Sequence, residues 1–591
     1  MKYPGTVKIG QAATDYSKFN LDSDTLTTTD IGEINLIHNL ECIVGDKIKV
    51  DYRLFGRCAP LVFPTYGTIR QRVLSVFVPY YLIADDADSY LSGLNYFGGQ
   101  KAMPRYFRQS QLDQLFYDKS YNGTPSGESK YMVQLSQKEV AEILKLTELP
   151  RYVYTVIKSD SSKMYFKFNR SGKTLYKIFR SLGYDINRVV NFSPTRPEGN
   201  VAINSQDRLN AYPILCYMKA YADLILPSAF YQTSSLLAYL HKCKLGDSYA
   251  CSSIGLINMD NFAPALHQCL KVYYDSDYFT SAWQKPNSPL STLMPTSVTS
   301  VSDTDNNVVL KSDTTSNNLT LGSQLSQTQL KFLRSFDNFV RRNNLVGFRE
   351  FNAVYSRFGI KPSEMKSNYC QIIDISNSPL NVGDVTATAQ TDDTLLGSYA
   401  GKAFQEKENH VEFEANDFGM FLQIAWITVT PIYYQGLRKQ VLRVDPLDFY
   451  QPEFDGVGPA PISKREINSQ VKNEVYGFTE RFNDYRFSQS NILGDFDLDE
   501  LMLPWHTGRV FSSSFIPAAQ SDNMITYTID GSGNTQYSRL FATENVAGGN
   551  VYDHFFQTWH FNVSALRKMK NFNEALDLGV GNIQLDRNGS V

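Results

Sequence analysis

A mainly β fold with long, partly helical insertions between its strands is what this 591-residue sequence predicts, on three observations. Phe (37), Tyr (37) and Trp (4) together make 13% of the chain, and such rings favour pleated, half-buried surfaces and subunit interfaces. Gly (36) and Pro (24) are spread along its whole length, as a turn-rich β chain requires. Period-2 apolarity gathers near both ends, while helical spacings and polar runs fill the middle. At ~150 residues per domain the length alone would suggest about four domains. Strands at both ends and no repeat of fixed period argue instead for one sheet system with long insertions.

Charge and cysteine content narrow the classes further. Lys plus Arg total 57 against 60 Asp plus Glu, a formal charge of -3, which excludes a surface that is basic all over but not a local basic face. Apolar residues at 42% and charged residues at 20% supply a large core and exclude general disorder. Seven cysteines (42, 58, 216, 243, 251, 269 and 370) are few, odd in number and irregularly spaced, so a reducing compartment is expected rather than a disulfide scaffold. Met1-Lys2-Tyr3-Pro4-Gly5 lacks the apolar core of a signal peptide. The most apolar stretch, residues 418–434, is interrupted by Gln423, Thr428, Thr430 and Pro431 and is too short and polar to cross a bilayer. A soluble protein is expected.

Residues 1–32 are polar and Thr/Asp-rich and read as an extended arm. Ile34, Leu36, Cys42, Val44, then Ile48, Val50, Tyr52 and Leu54 alternate around Gly45-Asp46, which predicts a hairpin. A further strand over 70–78 is closed by Pro79. Ser136 and Glu139 form a capping-box start to a helix over 136–147, with Pro150 beyond its end. Residues 164–168 look extended. Ile214, Met218, Tyr221, Ala222 and Leu226 predict a helix ending before Pro227. Between 291 and 320, 17 of 30 residues are Ser, Thr or Asn and none is aromatic, which marks an exposed excursion. Leu330, Leu333, Phe336 and Val340 predict a helix with Arg341-Arg342 in its last turn, and residues 348–358 a second one stopping at Gly359. Strand signals return at 411–413, 418–429, 475–487, 524–528 and 555–563.

Each signature of chemistry meets a simpler explanation. Gly172-Lys173-Thr174 is half of a phosphate-binding loop, but Lys167 stands where the opening glycine is needed. His241, Cys243, Cys251, His267 and Cys269 are zinc-competent types, yet each His-Cys pair is spaced by one residue, tighter than zinc knuckles use. Asp495, Asp497 and Asp499 start like a calcium loop, but Glu500 and His506 occupy the positions of its Gly and Glu; a divalent cation between neighbouring subunits is the residual expectation. No nucleophile elbow, zincin motif or dinucleotide fingerprint occurs, and Gly397-Ser398-Tyr399-Ala400-Gly401 has its serine misplaced for the first of these. Nothing asks for catalysis or a cofactor. Basic clusters at Arg341-Arg342, at Arg438, Lys439 and Arg443, and at Arg567, Lys568 and Lys570 could each pair with phosphate.

A set of strings, in order, resembles one family. Phe19-Asn20-Leu21-Asp22-Ser23, Thr27-Thr28-Thr29-Asp30-Ile31-Gly32, Gly45-Asp46, Arg57, Pro60-Leu61, Pro64 and Phe77-Val78-Pro79 are similar to the N-terminal third of the major capsid proteins of the Microviridae, small single-stranded DNA bacteriophages, with the gokushovirus-like members nearest in character. Asn210-Ala211-Tyr212-Pro213, Asp277-Tyr278-Phe279-Thr280-Ser281-Ala282 and Phe358-Gly359-Ile360 continue the order. Leu396-Gly397-Ser398-Tyr399-Ala400-Gly401, Tyr433-Tyr434-Gln435-Gly436, Asp448-Phe449-Tyr450-Gln451-Pro452-Glu453-Phe454, residues 476–486 and Trp505-His506 close it. The segment 94–209, the run 291–320 and Ile83-Ala84-Asp85 depart from the pattern.

The resemblance implies a viral jelly roll, an eight-stranded antiparallel β-sandwich, with its core in 33–92 and 385–565. Residues 93–384 would be inter-strand insertions, 94–209 and 286–330 the most variable, and 566–591 a basic C-terminal tail. It also implies sixty copies in a T=1 icosahedral shell around a circular single-stranded genome, assembled in the bacterial cytoplasm. A small basic DNA-binding protein, a pilot or minor virion protein and a host surface receptor would be partners. Arg567, Lys568 and Lys570 are the candidate DNA-facing residues, and Tyr or Phe rings could stack unpaired bases. The alternative is a jelly roll that binds carbohydrate or a receptor at a virion or cell surface. An enzyme on a β-sandwich would lack an acid/base pair.

Overall fold

The chain is described here by a computed structural model over residues 16–91, 105–117, 131–145, 153–157, 163–184, 208–227, 230, 234–252, 255–284, 311–312, 319–320, single residues within 331–342, 350–360, 369–386, 399–456, 458–512, 516–517, 519, 527–529, 536–542 and 553–569. Two antiparallel sheets face each other. The first takes strands β1 (Ser17–Asn20), β2 (Ser23–Thr29), β4 (Lys47–Cys58), β7 (Asn381–Thr386), β8 (Tyr399–Glu414) and β12 (Phe555–Arg567). The second takes β3 (Ile34–Cys42), β5 (Ile69–Pro79), β6 (Gln371–Pro379) and β9 (Gly419–Val429). Strands β10 (Pro459–Ser463) and β11 (Val475–Glu480) pair apart from both. Along the first sheet the order is β1 and β2 end to end, then β12, β4, β8 and β7; along the second it is β6, β5, β9, β3.

Period-2 sequence produces the sandwich directly. In β4 burial alternates without a break, placing Ile48, Val50, Tyr52 and Leu54 inside and Lys47, Lys49, Asp51, Arg53 and Phe55 outside. Trp559, Phe561, Val563 and Ala565 of β12 join them, and Ile37, Val73, Phe77, Phe421 and Ala425 of the second sheet close the layer. Each large side chain so buried stabilises the fold by roughly 1.5–3 kcal/mol before entropy is counted. Polar ties cross the same interior: Gln557 Nε2 donates to Gln71 Oε1 at 2.8 Å, and Gln405 Nε2 to Ser378 Oγ at 2.8 Å.

The expected hairpin over 34–54 is two strands that never pair. β3 bonds to β9, while β4 bonds to β8 and β12. The apolar faces of both strands point into one core from opposite sheets, so the Gly45-Asp46 turn must step between layers. Gly45 takes φ +85°, and Asp46, fully buried, accepts from Ile43 N–H at 3.0 Å.

The outer face of the first sheet is solvent-exposed and reads as rows across β12, β4 and β8. Lys47 faces Glu414, Lys49 faces Glu412, Asp51 faces His410 and Arg53 faces Glu408. These opposite charges pair across the strands, and His410 also reaches Glu412 at 2.9 Å. The carboxylates on both sides raise the His410 pKa. One row on from Phe55, the series ends at Arg57, which lies between Phe404 and Phe556.

The second sheet is covered on both sides along β3, β5 and β9, while its edge strand β6 is largely exposed. Every residue of β9 is buried, which explains its unbroken apolar run. The insertion carries helices α1 (Gln109–Tyr117), α2 (Gln137–Leu144), α3 (Arg170–Ser181), α4 (Tyr212–Ala220), α5 (Ser235–Leu245), α6 (Met259–Gln268) and α7 (Glu350–Phe358), of which α3 lies on β3 and α4 on β5 and β9. Ile178, Phe179, Leu215 and Phe262 pack in one cluster with Val76, Val78, Leu422 and Ile424. A buried charge network fastens α3 to both ends of the chain. Lys177 Nζ lies 2.8 Å from Glu33 and 2.7 Å from Asp553, and Thr174 Oγ1 donates to Glu33 at 2.9 Å. Burial opposes ionisation of Asp553, but Lys177 and Lys173 outweigh it and pull its pKa down to about 2.

The capping box at Ser136 and the stop at Gly359, with φ +70°, are as the sequence predicts. Three placements differ from expectation. Residues 17–29 of the N-terminal arm are edge strands on β12, and β6 lies within 93–384, so strands extend beyond 33–92 and 385–565. The described residues within 430–554 add no strand to either sheet. Most of 291–320, the helix expected over 330–342 except for single helical residues, and most of 524–528 lie outside the described residues.

Candidate assembly surface

Three of the strings that carry the family resemblance, 277–282, 433–436 and 476–486, converge in space on a third core with Ile462, Ile467, Val471, Phe511, Ile516 and Ala519. Asp277 starts it. Its Oδ1 accepts from the N–H groups of Phe279 (2.9 Å) and Thr280 (2.8 Å), fixing a turn that turns both neighbouring rings inward. Tyr278 then stacks on Phe487 with centroids 4.9 Å apart, and Phe279 packs against Tyr433 at 4.6 Å. Tyr433 donates its hydroxyl to Asp277 Oδ2 at 2.7 Å and accepts from Arg509 Nη1 at 2.9 Å.

Arg509 is the pivot. Its guanidinium is buried and lies over the rings of Tyr274 at 4.1 Å and Phe511 at 4.7 Å. Burial works against the charge, yet the surrounding phenols and Asp277 hold its pKa above the ordinary arginine range. Close packing fixes two glycines beside it. A Cβ at Gly436 would sit 1.8 Å from the Glu466 carbonyl oxygen, and one at Gly477 would sit 2.6 Å from Ala519 Cβ. Glu466 accepts from Ser463 N–H, from Tyr278 hydroxyl at 3.2 Å and from Lys439 at 3.4 Å; burial raises its pKa against the pull of Lys439. Trp505 stacks on Phe63 at 4.8 Å, and His506 Nδ1 accepts from Gly508 N–H at 3.1 Å, so this aromatic-His pair is a structural turn.

This rigid core displays an unusual exterior. Over 441–501, Val441, Val444, Leu447, Phe449, Leu493, Leu498 and Leu501 all point to solvent, and Val444 and Leu498 are each 83% exposed. Exposed aliphatics gathered in one segment are the kind of surface that an interaction face uses. Beside it opens a cavity of about 230 Å³ lined by Tyr278, Phe487, Arg438, Lys439, Arg443 and Asp484. Arg443 pairs with Asp484 and lies 4.1 Å from the centroid of the Tyr485 ring, so charge and stacking hold the rim in shape. Among the described residues this segment combines exposed aliphatics with a fixed polar rim, the anatomy of a protein–protein contact. Of these exposed residues only Phe449 lies in one of the strings that carry the family resemblance. The clustering of Pro and aromatics over 446–454 was the signal that could have identified a displayed surface.

The DNA-facing candidates part company. Arg567 closes β12, where Nε lies 3.2 Å from the buried Asp46 and Nη2 donates to the Glu41 carbonyl at 2.8 Å. Lys568 lies 5.3 Å over the Tyr16 ring, which also takes Lys47 at 5.6 Å. Lys570 lies outside the described residues. Of the other basic clusters, Lys439 and Arg443 are ion-paired at the cavity rim.

The remaining motifs have structural explanations. Gly172-Lys173-Thr174 lies in the first turns of α3, where a Cβ at 172 would meet the Tyr131 carbonyl at 2.2 Å. His241 and Cys243 sit on helix α5 and His267 at the end of α6, not on a strand; burial pushes the Cys243 thiol up to about 12. Asp499 Oδ1 caps Leu501 N–H at 2.9 Å. Among the described residues no group of three or more His, Cys, Asp and Glu is arranged to hold a metal. No helix among them is long and apolar enough to cross a membrane.

Comparison with known proteins agrees with the family resemblance. Residues 318–575 match the family described as capsid protein (F protein). The chain is 28% identical over 169 residues to capsid protein VP1 of Bdellovibrio phage phiMH2K, covering 27% of this chain and 31% of that one. It is 24% identical over 210 residues to capsid protein VP1 of Chlamydia phage 1 (33% and 35%), and 22% identical over 179 residues to that of Spiroplasma virus 4 (29% and 32%). The chain thus aligns with about a third of the length of each of these relatives.

Proposed function

We propose that this chain is the major capsid protein of a small single-stranded DNA bacteriophage, a structural protein rather than an enzyme. It folds as an eight-stranded jelly roll and assembles into a T=1 shell of sixty copies around the genome. The observation that carries this reading is the capsid-family match over 318–575, a stretch that contains the exposed apolar segment 441–501. A relative's name alone would leave the mechanism open; the displayed aliphatics supply one, burial of repeated apolar contacts between copies.

Strand order supports the jelly roll. Numbering β2, β3, β4, β5, β6, β8, β9 and β12 from one to eight, the sheets run 1-8-3-6 and 2-7-4-5. First pairs with eighth, second with seventh, third with sixth and fourth with fifth, the nesting of one long hairpin rolled on itself. The longest insertion leaves at the tip of that hairpin, between β5 and β6.

On this reading the chain is a virion component assembled in the bacterial cytoplasm, and the genome, a small basic DNA-binding protein, a pilot or minor virion protein and a host receptor are its partners. Leu498→Asp with Leu501→Asp tests the assembly face. Particles should be lost while the unfolding temperature of the subunit stays within about 2 °C, since surface changes away from packed features alter stability little. Normal particles from this variant would count against the face. For the genome contact, Ser at 567, 568 and 570 together should lower packaged DNA or particle stability at high salt, and unchanged packaging would remove those three residues from the account.

A further inference from the structure

The exposed rows of the first sheet end in a corner unlike the rest of that face. Every other cation on the outer face of β4 stands opposite a carboxylate on β8, as Lys47, Lys49 and Arg53 do. Arg57 has Phe404 on one side and Phe556 on the other, its guanidinium lies 5.3 Å from the Phe55 ring centroid, and it enters no ion pair among the described residues. The three rings are open to solvent, Phe55 at 42%, Phe404 at 48% and Phe556 at 51%.

We propose that this corner is a stacking platform for unpaired nucleotides of single-stranded DNA, with bases on the faces of Phe55, Phe404 and Phe556 and a phosphate on Arg57. The proposal rests on reading the chain as the capsid protein of a single-stranded DNA phage, and it names a contact which that reading leaves open. Neighbouring strands lie about 4.8 Å apart and alternate residues about 7 Å apart, so the rings surround one guanidinium at spacings that successive bases can bridge. Single strands expose the π-faces that such a platform takes, whereas a duplex hides them. An apolar protein partner fits worse, because covering the rings would desolvate Arg57, which forms no ion pair even with Glu406 opposite Phe55 on the same face, and a buried unpaired charge is costly. A phosphate neutralises that charge while the bases cover the rings. The platform stands on β4, β8 and β12, strands inside the sheet rather than loops, so it is formed before the ligand arrives. Lys568 lies at the far end of the same face, beside Lys47, about 33 Å away along β4.

The test is fluorescence anisotropy of a labelled 20-nucleotide oligo(dT), and of a 20-base-pair duplex, with the full-length subunit. Phe404→Leu and Phe556→Leu keep an apolar side chain but remove the ring, and Arg57→Gln removes the charge. Each ring loss should weaken oligo(dT) binding by about 5- to 100-fold. Arg57→Gln should weaken it and flatten its salt dependence, and the wild type should prefer the single strand. Equal affinity in wild type and all three variants, or equal binding of duplex with the same losses, overturns the platform. Particle assembly, measured on the same variants, separates the two readings. Intact particles with unchanged oligo(dT) affinity reject the platform and keep the capsid reading. Lost particles with unchanged affinity reject it in favour of a subunit contact. Weakened affinity in a protein that never forms particles supports the platform and rejects the capsid reading.

Discussion

His38 lies between the two sheets, its ring stacked on Phe561 with centroids 4.6 Å apart and edge-on to Phe421 at 6.3 Å. Burial lowers its pKa from 6.5 to about 4. As pH falls below 6.5 the unfolded chain takes up a proton that the folded chain refuses until about pH 4, so stability declines across that window. The decline should amount to about 3 kcal/mol, from 1.36 kcal/mol per pKa unit. Chemical denaturation of His38→Leu should show a much flatter pH dependence between 6.5 and 4; an undiminished slope would assign the acid sensitivity elsewhere. Gly436→Ala should cost more than about 2 kcal/mol, because the Glu466 carbonyl leaves no room for a methyl group. Arg509→Met should loosen the third core. Proteolysis within 431–512 should accelerate in that variant while the sandwich stays resistant. At this scale the sequence identified the members of the site but not their roles. Asp277, Tyr278, Phe279 and Tyr433 stood out as strings, whereas Arg509 did not, because a lone Arg carries no signal that three rings will enclose it.

Among elements, α3 shows most clearly how the insertion is tied to the sandwich. Asn169 caps it by accepting from Gly172 N–H at 2.8 Å, and Lys177 then joins Glu33 from the start of the chain to Asp553 near its end. Lys177→Met leaves the buried Glu33 without its ion-pair partner and Asp553 with Lys173 alone, and should cost about 3–5 kcal/mol. Adding Glu33→Gln and Asp553→Asn should recover a good part of that loss, measured as the shift in denaturation midpoint; no recovery would mean that Lys177 acts through packing alone. Strands with one wet face, such as β4, were legible from alternation, and β5 and β9 from apolar runs. β1 and β2 were not, because an edge strand with polar residues on both faces has no apolar period to read. The pairing of β3 was misread for a different reason. Alternation fixes which face of a strand is buried but not which sheet it joins, and Gly-Asp turns serve both hairpins and steps between layers. α5 and α6 were missed because their histidines and cysteines were weighed as metal ligands rather than as helix faces.

For the whole molecule, the aromatic excess divides into two populations. Tyr131, Tyr217, Tyr221, Tyr239, Tyr476 and Tyr527 are buried within the chain, filling cores that the insertions create. Phe449, Tyr450, Phe454, Phe55, Phe404 and Phe556 are displayed. Only the displayed subset is therefore available to interfaces, and much of the aromatic content gives long insertions their own hydrophobic interior. Net charge follows the same division. A chain of formal charge -3 whose exposed sheet face pairs acid with base leaves Arg57 and the Lys568 end as local cationic sites on that face; on the proposed reading, most of the charge of a packaged genome would be met by small cations or a basic partner. The central claim is assembly, and sedimentation velocity with electron microscopy tests it most directly, on the full-length chain expressed alone or beside the other virion proteins. The account predicts closed particles of sixty copies of a 67.0 kDa chain, about 4 MDa, that disperse when Leu498 and Leu501 are made charged. Only monomers and dimers at every salt concentration and pH, in both settings, would contradict it.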